Sequence, residues 1–203
     1  FFDGDGLMRQ LRFSENGSVH YRSRYVRTPK YLAERHANKP QMRTPTTQRP
    51  GGVLANIGRL PASEANTHAM VHAGKLWAVY EGGVPYSLDP DTLETHGVDL
   101  FEGVLKRSAT FSGHPHPDPI TGEIFNFGVA MGAGGINLRA YRIDPAGRMT
   151  HLGALPLPYI SFLHDFGLSE RWMCFPVPPM RGHALGMMLG LQTVFDSIEW
   201  LED

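Results

Sequence analysis

The sequence predicts an all-β fold built from many short strands. Three observations lead there: 23 glycines and 16 prolines in 203 residues, short stretches of alternating apolar and polar residues, and Asp-Pro and Gly turn signals spaced fairly evenly between them. A sandwich and a propeller both satisfy this pattern, and no exact internal repeat selects the propeller.

In chain order, residues 7–13 roughly alternate, Glu15-Asn16-Gly17 reads as a turn, and residues 19–28 resume an extended pattern. Asn-Gly between alternating stretches supplies the positive φ of a tight turn, so a hairpin is predicted. Residues 29–61 differ, with Pro40, Pro45, Pro50, Pro61 and Gly51-Gly52. A short helix over 31–37 followed by a long loop is expected, and loops of that length are usually functional or disordered. Strands return at 69–71 and 75–80 around the Ala73-Gly74 turn, then at 86–88, 109–112, 124–129, 136–143, 149–155 and 171–175. Asp89-Pro90-Asp91, Asp118-Pro119-Ile120-Thr121-Gly122 and Asp144-Pro145-Ala146-Gly147 turn the chain between them. The apolar tail 184–191 is interrupted by glycine and too short to span a bilayer. No domain boundary stands out, so residues 1–203 are expected to form a single partial domain. The opening Phe1-Phe2-Asp3-Gly4-Asp5-Gly6 has no initiator Met or signal pattern and reads as the middle of a strand–turn unit, which suggests a fragment.

Composition narrows the function classes. Hydrophobic content of 41% and charged content of 19% fit a soluble globular protein. A net charge of −1 without a basic run excludes a nucleic-acid partner. Cys174 is the only cysteine, so an intramolecular disulfide and a Cys-based zinc site are both excluded. A reducing, cytoplasmic location is compatible with this, and no run of about 18 apolar residues predicts a transmembrane helix.

Two histidine motifs carry the chemistry. His114 lies in Ser-Gly-His-Pro-His-Pro-Asp-Pro (112–119), and His164 in Leu-His-Asp-Phe-Gly-Leu-Ser (163–169). Neutral imidazole is the commonest transition-metal ligand, and Pro115 and Pro117 stiffen the backbone around His114. His116, two residues on in an extended segment, is expected to point to the opposite face. His164 reads equally as a ligand oriented by a carboxylate or as a histidine bonded to backbone. Glu81, after the apolar 76–80 stretch, is either a strand-end residue reaching solvent or an acceptor for an imidazole N–H. Asp118 and Asp165 read as turn or capping residues, and Trp77, Tyr80, Tyr159, Phe162 and Phe166 as core. No Gly-x-Ser-x-Gly, Walker loop, EF-hand loop or His-Glu-x-x-His occurs.

Five segments in order resemble the carotenoid cleavage oxygenase family: Phe2-Asp3-Gly4-Asp5-Gly6-Leu7, Arg24-Tyr25-Val26-Arg27-Thr28, the block from Ala65-Asn66-Thr67 through Glu81-Gly82-Gly83-Val84-Pro85 to Thr95, His114-Pro115, and His164-Asp165-Phe166. The resemblance implies a seven-bladed β-propeller, of which this chain would be about the first half. It implies Fe(2+) held by four histidines, with His114 as the first ligand, His164 as the second, and Glu81 as the carboxylate that orients a ligand imidazole, most simply that of His164. Two further ligands have no counterpart after His164; His183 does not match their motif. Dioxygen and an apolar polyene are the implied partners, with scission to two carbonyl products and Tyr80, Phe162 and Phe166 as candidate tunnel residues. Stilbene-cleaving members typically carry Lys just before the glutamate, where this chain has Tyr80, which leans the substrate toward carotenoids or apocarotenoids. Residues up to Pro61 and 184–195 fall where relatives carry membrane-facing elements, so peripheral membrane contact is implied. With two of four ligands, the 203-residue chain alone is expected neither to retain iron nor to cleave substrate, and its open blade edges to favour aggregation. A non-catalytic relative and an unrelated β-propeller lactonase or binding module are the competing readings.

Overall fold

The computed structural model describes residues 2–132 and 135–202. Its elements in chain order are β1 (Leu7–Phe13), β2 (Val19–Tyr25), α1 (Pro29–Ala37), α2 (Val53–Asn56), β3 (His68–His72), β4 (Lys75–Val79), β5 (Tyr86–Leu88), β6 (Thr95–Val98), β7 (His116–Pro117), β8 (Ile124–Gly132), β9 (Gly135–Ile143), β10 (Met149–Pro156), β11 (Ile160–Ser161), β12 (Gly167–Leu168), β13 (Met173–Cys174), β14 (Met180–Gly182), α3 (Ala184–Met188) and β15 (Ile198–Trp200). All described strand pairs are antiparallel. They form two four-stranded sheets, β3-β4-β5-β6 and β10-β9-β8-β7, the three-stranded β11-β14-β15, and the pairs β1-β2 and β12-β13.

These sheets belong to a partial β-propeller, and strand alternation explains the stacking of the two four-stranded ones. Along β4, Leu76 and Ala78 join one apolar cluster with Met8, Val26, Tyr86 and Leu88, while Trp77 and Val79 join a second with Phe101, Phe111, Ile124, Tyr141 and Ile143. A strand buried on both faces reads as a continuous apolar run rather than an alternating one. A third cluster, Phe127, Leu138, Leu163 and Phe166, seals the second four-stranded sheet against the β12-β13 segment. The outer strand β10 is almost wholly exposed.

The opening motif fastens this stack to the proline-rich region. The Asp3 carboxylate accepts the Thr46 and Thr47 hydroxyls. Buried Lys30 reaches Asp5 at 3.2 Å and Glu34 at 3.0 Å, and donates to the Asp3 carbonyl. At Gly6 a Cβ would lie 2.0 Å from the Ala65 carbonyl oxygen, so only glycine permits that approach. Thr28 caps α1 by accepting the Tyr31 N–H, with Pro29 at the first turn.

Several expectations change. Residues 109–112 are not a strand. Thr110 Oγ1 accepts the Val129 N–H at 2.6 Å and donates to the Val129 carbonyl at 3.0 Å, replacing ladder bonds with side-chain ones. The expected 171–175 strand shrinks to Met173–Cys174. The 29–61 region contains α2 besides α1, and its irregular part is anchored rather than loose. The Arg43 guanidinium, buried, donates to the carbonyls of Arg59, Met187 and Gln192. Asn56, also buried, exchanges hydrogen bonds with the Arg49 backbone.

Candidate metal centre

Three separate elements bring the site together. Glu81 sits in the turn that leaves β4, closed by the Gly83 N–H on the Tyr80 carbonyl. The 111–114 segment lies between that turn and β8: Phe111 N–H donates to the Gly83 carbonyl and Ser112 N–H to that of Phe127. Buried Asn126 Nδ2 holds the Ser112 carbonyl at 3.1 Å. Close passage beside β8 depends on Gly128, where a Cβ would lie 1.9 Å from the Thr110 carbonyl oxygen. On the third element, Leu163 and Phe166 turn into the apolar core, and His164 between them turns out of it.

His114 Nε2 lies 3.0 Å from His164 Nε2, and His164 Nδ1 lies 2.7 Å from Glu81 Oε1. The ligand atoms of Glu81, His114 and His164 all fall within 4.8 Å of one another, the arrangement of a possible three-residue metal site. With Glu81 accepting the Nδ1 proton, the neutral His164 ring presents an Nε2 lone pair toward His114. Two imidazole nitrogens at about 2.1 Å from one cation and at right angles stand about 3.0 Å apart, so the separation fits shared coordination. The same distance admits a ring-to-ring hydrogen bond in the tautomer that places one proton between them.

A second layer joins the two histidine segments. Ser112 Oγ accepts the His114 N–H at 3.1 Å and donates to the His164 carbonyl at 3.3 Å. His116 Nε2 meets Asp165 Oδ1 at 2.9 Å, and its ring lies 4.5 Å from that of Phe166. Burial tends to raise the Asp165 pKa, but the bonds from His116 and the Phe166 N–H hold it below the usual carboxylate range. The sequence signals neither link: Ser112 opens the His114 motif without pointing to His164, and His116 and Asp165 read separately as an outward residue and a turn residue.

The proposed tunnel residues separate. Phe162 and Phe166 line an open concavity of about 530 Å3 together with His164, Val177, Pro178 and Met180. The Phe162 ring is nearly parallel to that of His164, 6.0 Å away, and 6.2 Å from Phe195. Tyr80 is not among the lining residues. Its ring is buried beneath Gly82, and burial, then the Glu64 and Glu81 carboxylates, push its pKa up.

Known proteins share this fold. A solved variant of the apocarotenoid oxygenase of Synechocystis superposes with a TM-score of 0.88 at 28% identity, covering 98% of this chain and 43% of that one. A cobalt-substituted form of the Synechocystis enzyme gives 0.85 at 28%, with the same coverage. Isoeugenol monooxygenase of Pseudomonas putida is 39% identical over 183 residues, 88% of this chain and 37% of that protein. Lignostilbene-alpha,beta-dioxygenase isozyme III of Sphingomonas paucimobilis is also 39% identical over 183 residues, 88% and 36% respectively. The chain thus spans well under half the length of the proteins it matches. Residues 1–203 match the family described as retinal pigment epithelial membrane protein, RPE65, and the chain belongs to that family of carotenoid cleavage oxygenases.

Proposed function

We propose that this chain contributes His114, His164 and Glu81 to the centre of an iron(II)-dependent dioxygenase that splits a carbon–carbon double bond of an apolar substrate. One dioxygen and one C=C yield two carbonyl products. The observation that carries the reading is the convergence of the two Nε2 atoms, 3.0 Å apart, with Glu81 on the far nitrogen of His164. Iron would supply the capture and activation of dioxygen, chemistry that no side chain here performs alone.

The chain's own residues bind, orient and exclude water. Glu81 fixes the His164 proton on Nδ1 and so the direction of its Nε2 lone pair. Phe162 and Phe166 would form the apolar wall beside the substrate, keeping water from the reacting bond.

On substrate, Tyr80 in place of lysine favours a carotenoid or apocarotenoid. A second reading, a phenolic stilbene or phenylpropene, is favoured by the 39% identity to enzymes named for isoeugenol and lignostilbene. Delivery from a membrane is part of the proposal. Leu54 and Ile57 of the α2 region and Leu185, Leu189 and Leu191 of the α3 region are exposed, and the two regions touch through the Gly58 N–H on the Met188 carbonyl. Such a patch would dip into one leaflet. No helix among the described residues is long and apolar enough to cross a membrane.

The test is turnover by the protein expressed from the complete reading frame, supplied with Fe(II) and 18O2 and offered an apocarotenal and a hydroxystilbene separately. Labelled carbonyl products from either substrate are expected, and which one reacts decides the substrate class. No scission of either would overturn the proposal.

A further inference from the structure

We infer that His116 and Asp165 form a clasp that sets the separation of the two candidate metal ligands, His114 and His164; this rests on the metal reading above. The two ligands are 50 residues apart in sequence and sit on different elements, so something must hold their segments in register. Each half of the clasp is anchored on its own side. His116 lies in β7, in register with Phe125 of β8, between Pro115 and Pro117, which fix its backbone. Asp165 Oδ1 accepts the Phe166 N–H at 2.7 Å, which orients the carboxylate toward His116. Phe166 is in turn locked in the core against Phe127 and Phe175, at ring distances of 5.5 Å each. The 2.9 Å bond between Nε2 and Oδ1 then closes a ring of contacts in which His164 is one residue from one jaw and His114 two residues from the other.

The side chains are 35% and 51% exposed, too open for the pair to add much to global stability. Its consequence is therefore local: without the bond the 164–166 segment is held to the 112–116 segment by Ser112 Oγ and by the packing of the His116 ring on Phe166, and the spacing of the two Nε2 atoms broadens. Both residues are positioning residues, since neither Nε2 of His116 nor the Asp165 carboxylate belongs to the three-residue cluster. A lysine at 116 also carries a donor that reaches a carboxylate, so His116→Lys should preserve the clasp that His116→Ala removes.

The experiment is a Co(II) titration of the protein from the complete reading frame, followed by its visible d–d spectrum, with thermal unfolding in parallel. His116→Ala and Asp165→Ala are each expected to weaken Co(II) binding roughly tenfold, the low end of the loss seen when a ligand's support is removed, with a shifted spectrum and an unchanged unfolding temperature. The double variant should be no weaker than either single one, and His116→Lys should bind as wild type. If His164→Ala binds Co(II) as tightly as wild type, the metal reading fails and the clasp with it. If His164→Ala loses Co(II) but both alanine variants keep wild-type affinity and spectrum, or His116→Lys is as weak as His116→Ala, the clasp alone is wrong.

Discussion

Glu81 Oε1 stands 2.7 Å from His164 Nδ1, while Oε2 of the same carboxylate is buried with no hydrogen-bond partner among the described residues. A carboxylate held this way is committed to one imidazole. Glu81→Ala is therefore predicted to free the His164 ring and weaken Fe(II) or Co(II) binding about 10- to 100-fold. Metal titration of the variant checks it, and unchanged affinity would remove Glu81 from the site.

Gly128 is predicted to be intolerant of alanine. The added Cβ would meet the Thr110 carbonyl oxygen at 1.9 Å, and that oxygen belongs to the segment leading into Ser112 and His114. Either β8 or that segment must shift, at about 1–3 kcal/mol or more. Urea unfolding should report the loss, and metal affinity should fall with it.

Glu64 makes stability depend on pH. Its side chain is fully buried, and burial, partly offset by Lys30 and reinforced by Asp3, Asp5 and Glu34, pushes its pKa up to about 8 from 4.5. The folded chain then holds a proton that the unfolded chain releases above about pH 4.5. Stability from this group is full below that pH, declines as pH rises, and is lost above about pH 8. Glu64→Gln should flatten this decline and raise stability at pH 8, measured by denaturant midpoints across pH 5–9. Identical pH profiles for the two proteins would contradict it.

The apolar patch predicts membrane partitioning. Leu54→Ser and Leu185→Ser, at positions 87% and 73% exposed, should leave folding intact and reduce vesicle binding. Each should cost about 1 kcal/mol of partitioning, roughly fivefold, because an inserted leucine is only partly withdrawn from water. Sedimentation with phosphatidylcholine vesicles measures this.

The elements with a local cause were legible in the sequence. Strands β1, β5, β8 and β9 follow from apolar runs and alternation, and the β1-β2 turn follows from Gly17, whose φ is +79°. The three residues proposed for the metal centre were also visible, through their motifs. What escaped depends on neighbours distant in sequence. The segment 109–112 has strand composition but is fastened by the Thr110 hydroxyl, and Arg43 and Asn56 look like surface residues until the carbonyls they satisfy are known. The His116–Asp165 bond spans 49 positions, and neither residue signals the other.

The central claim is that His114 and His164 hold one metal ion, and anomalous diffraction at the iron edge from crystals of the complete protein grown with Fe(II) tests it most directly. The account predicts a single anomalous peak about 2.1 Å from both Nε2 atoms, with Glu81 still on His164 Nδ1. A peak elsewhere in the fold, or the two imidazoles bonded only to each other with iron present in solution, would contradict it.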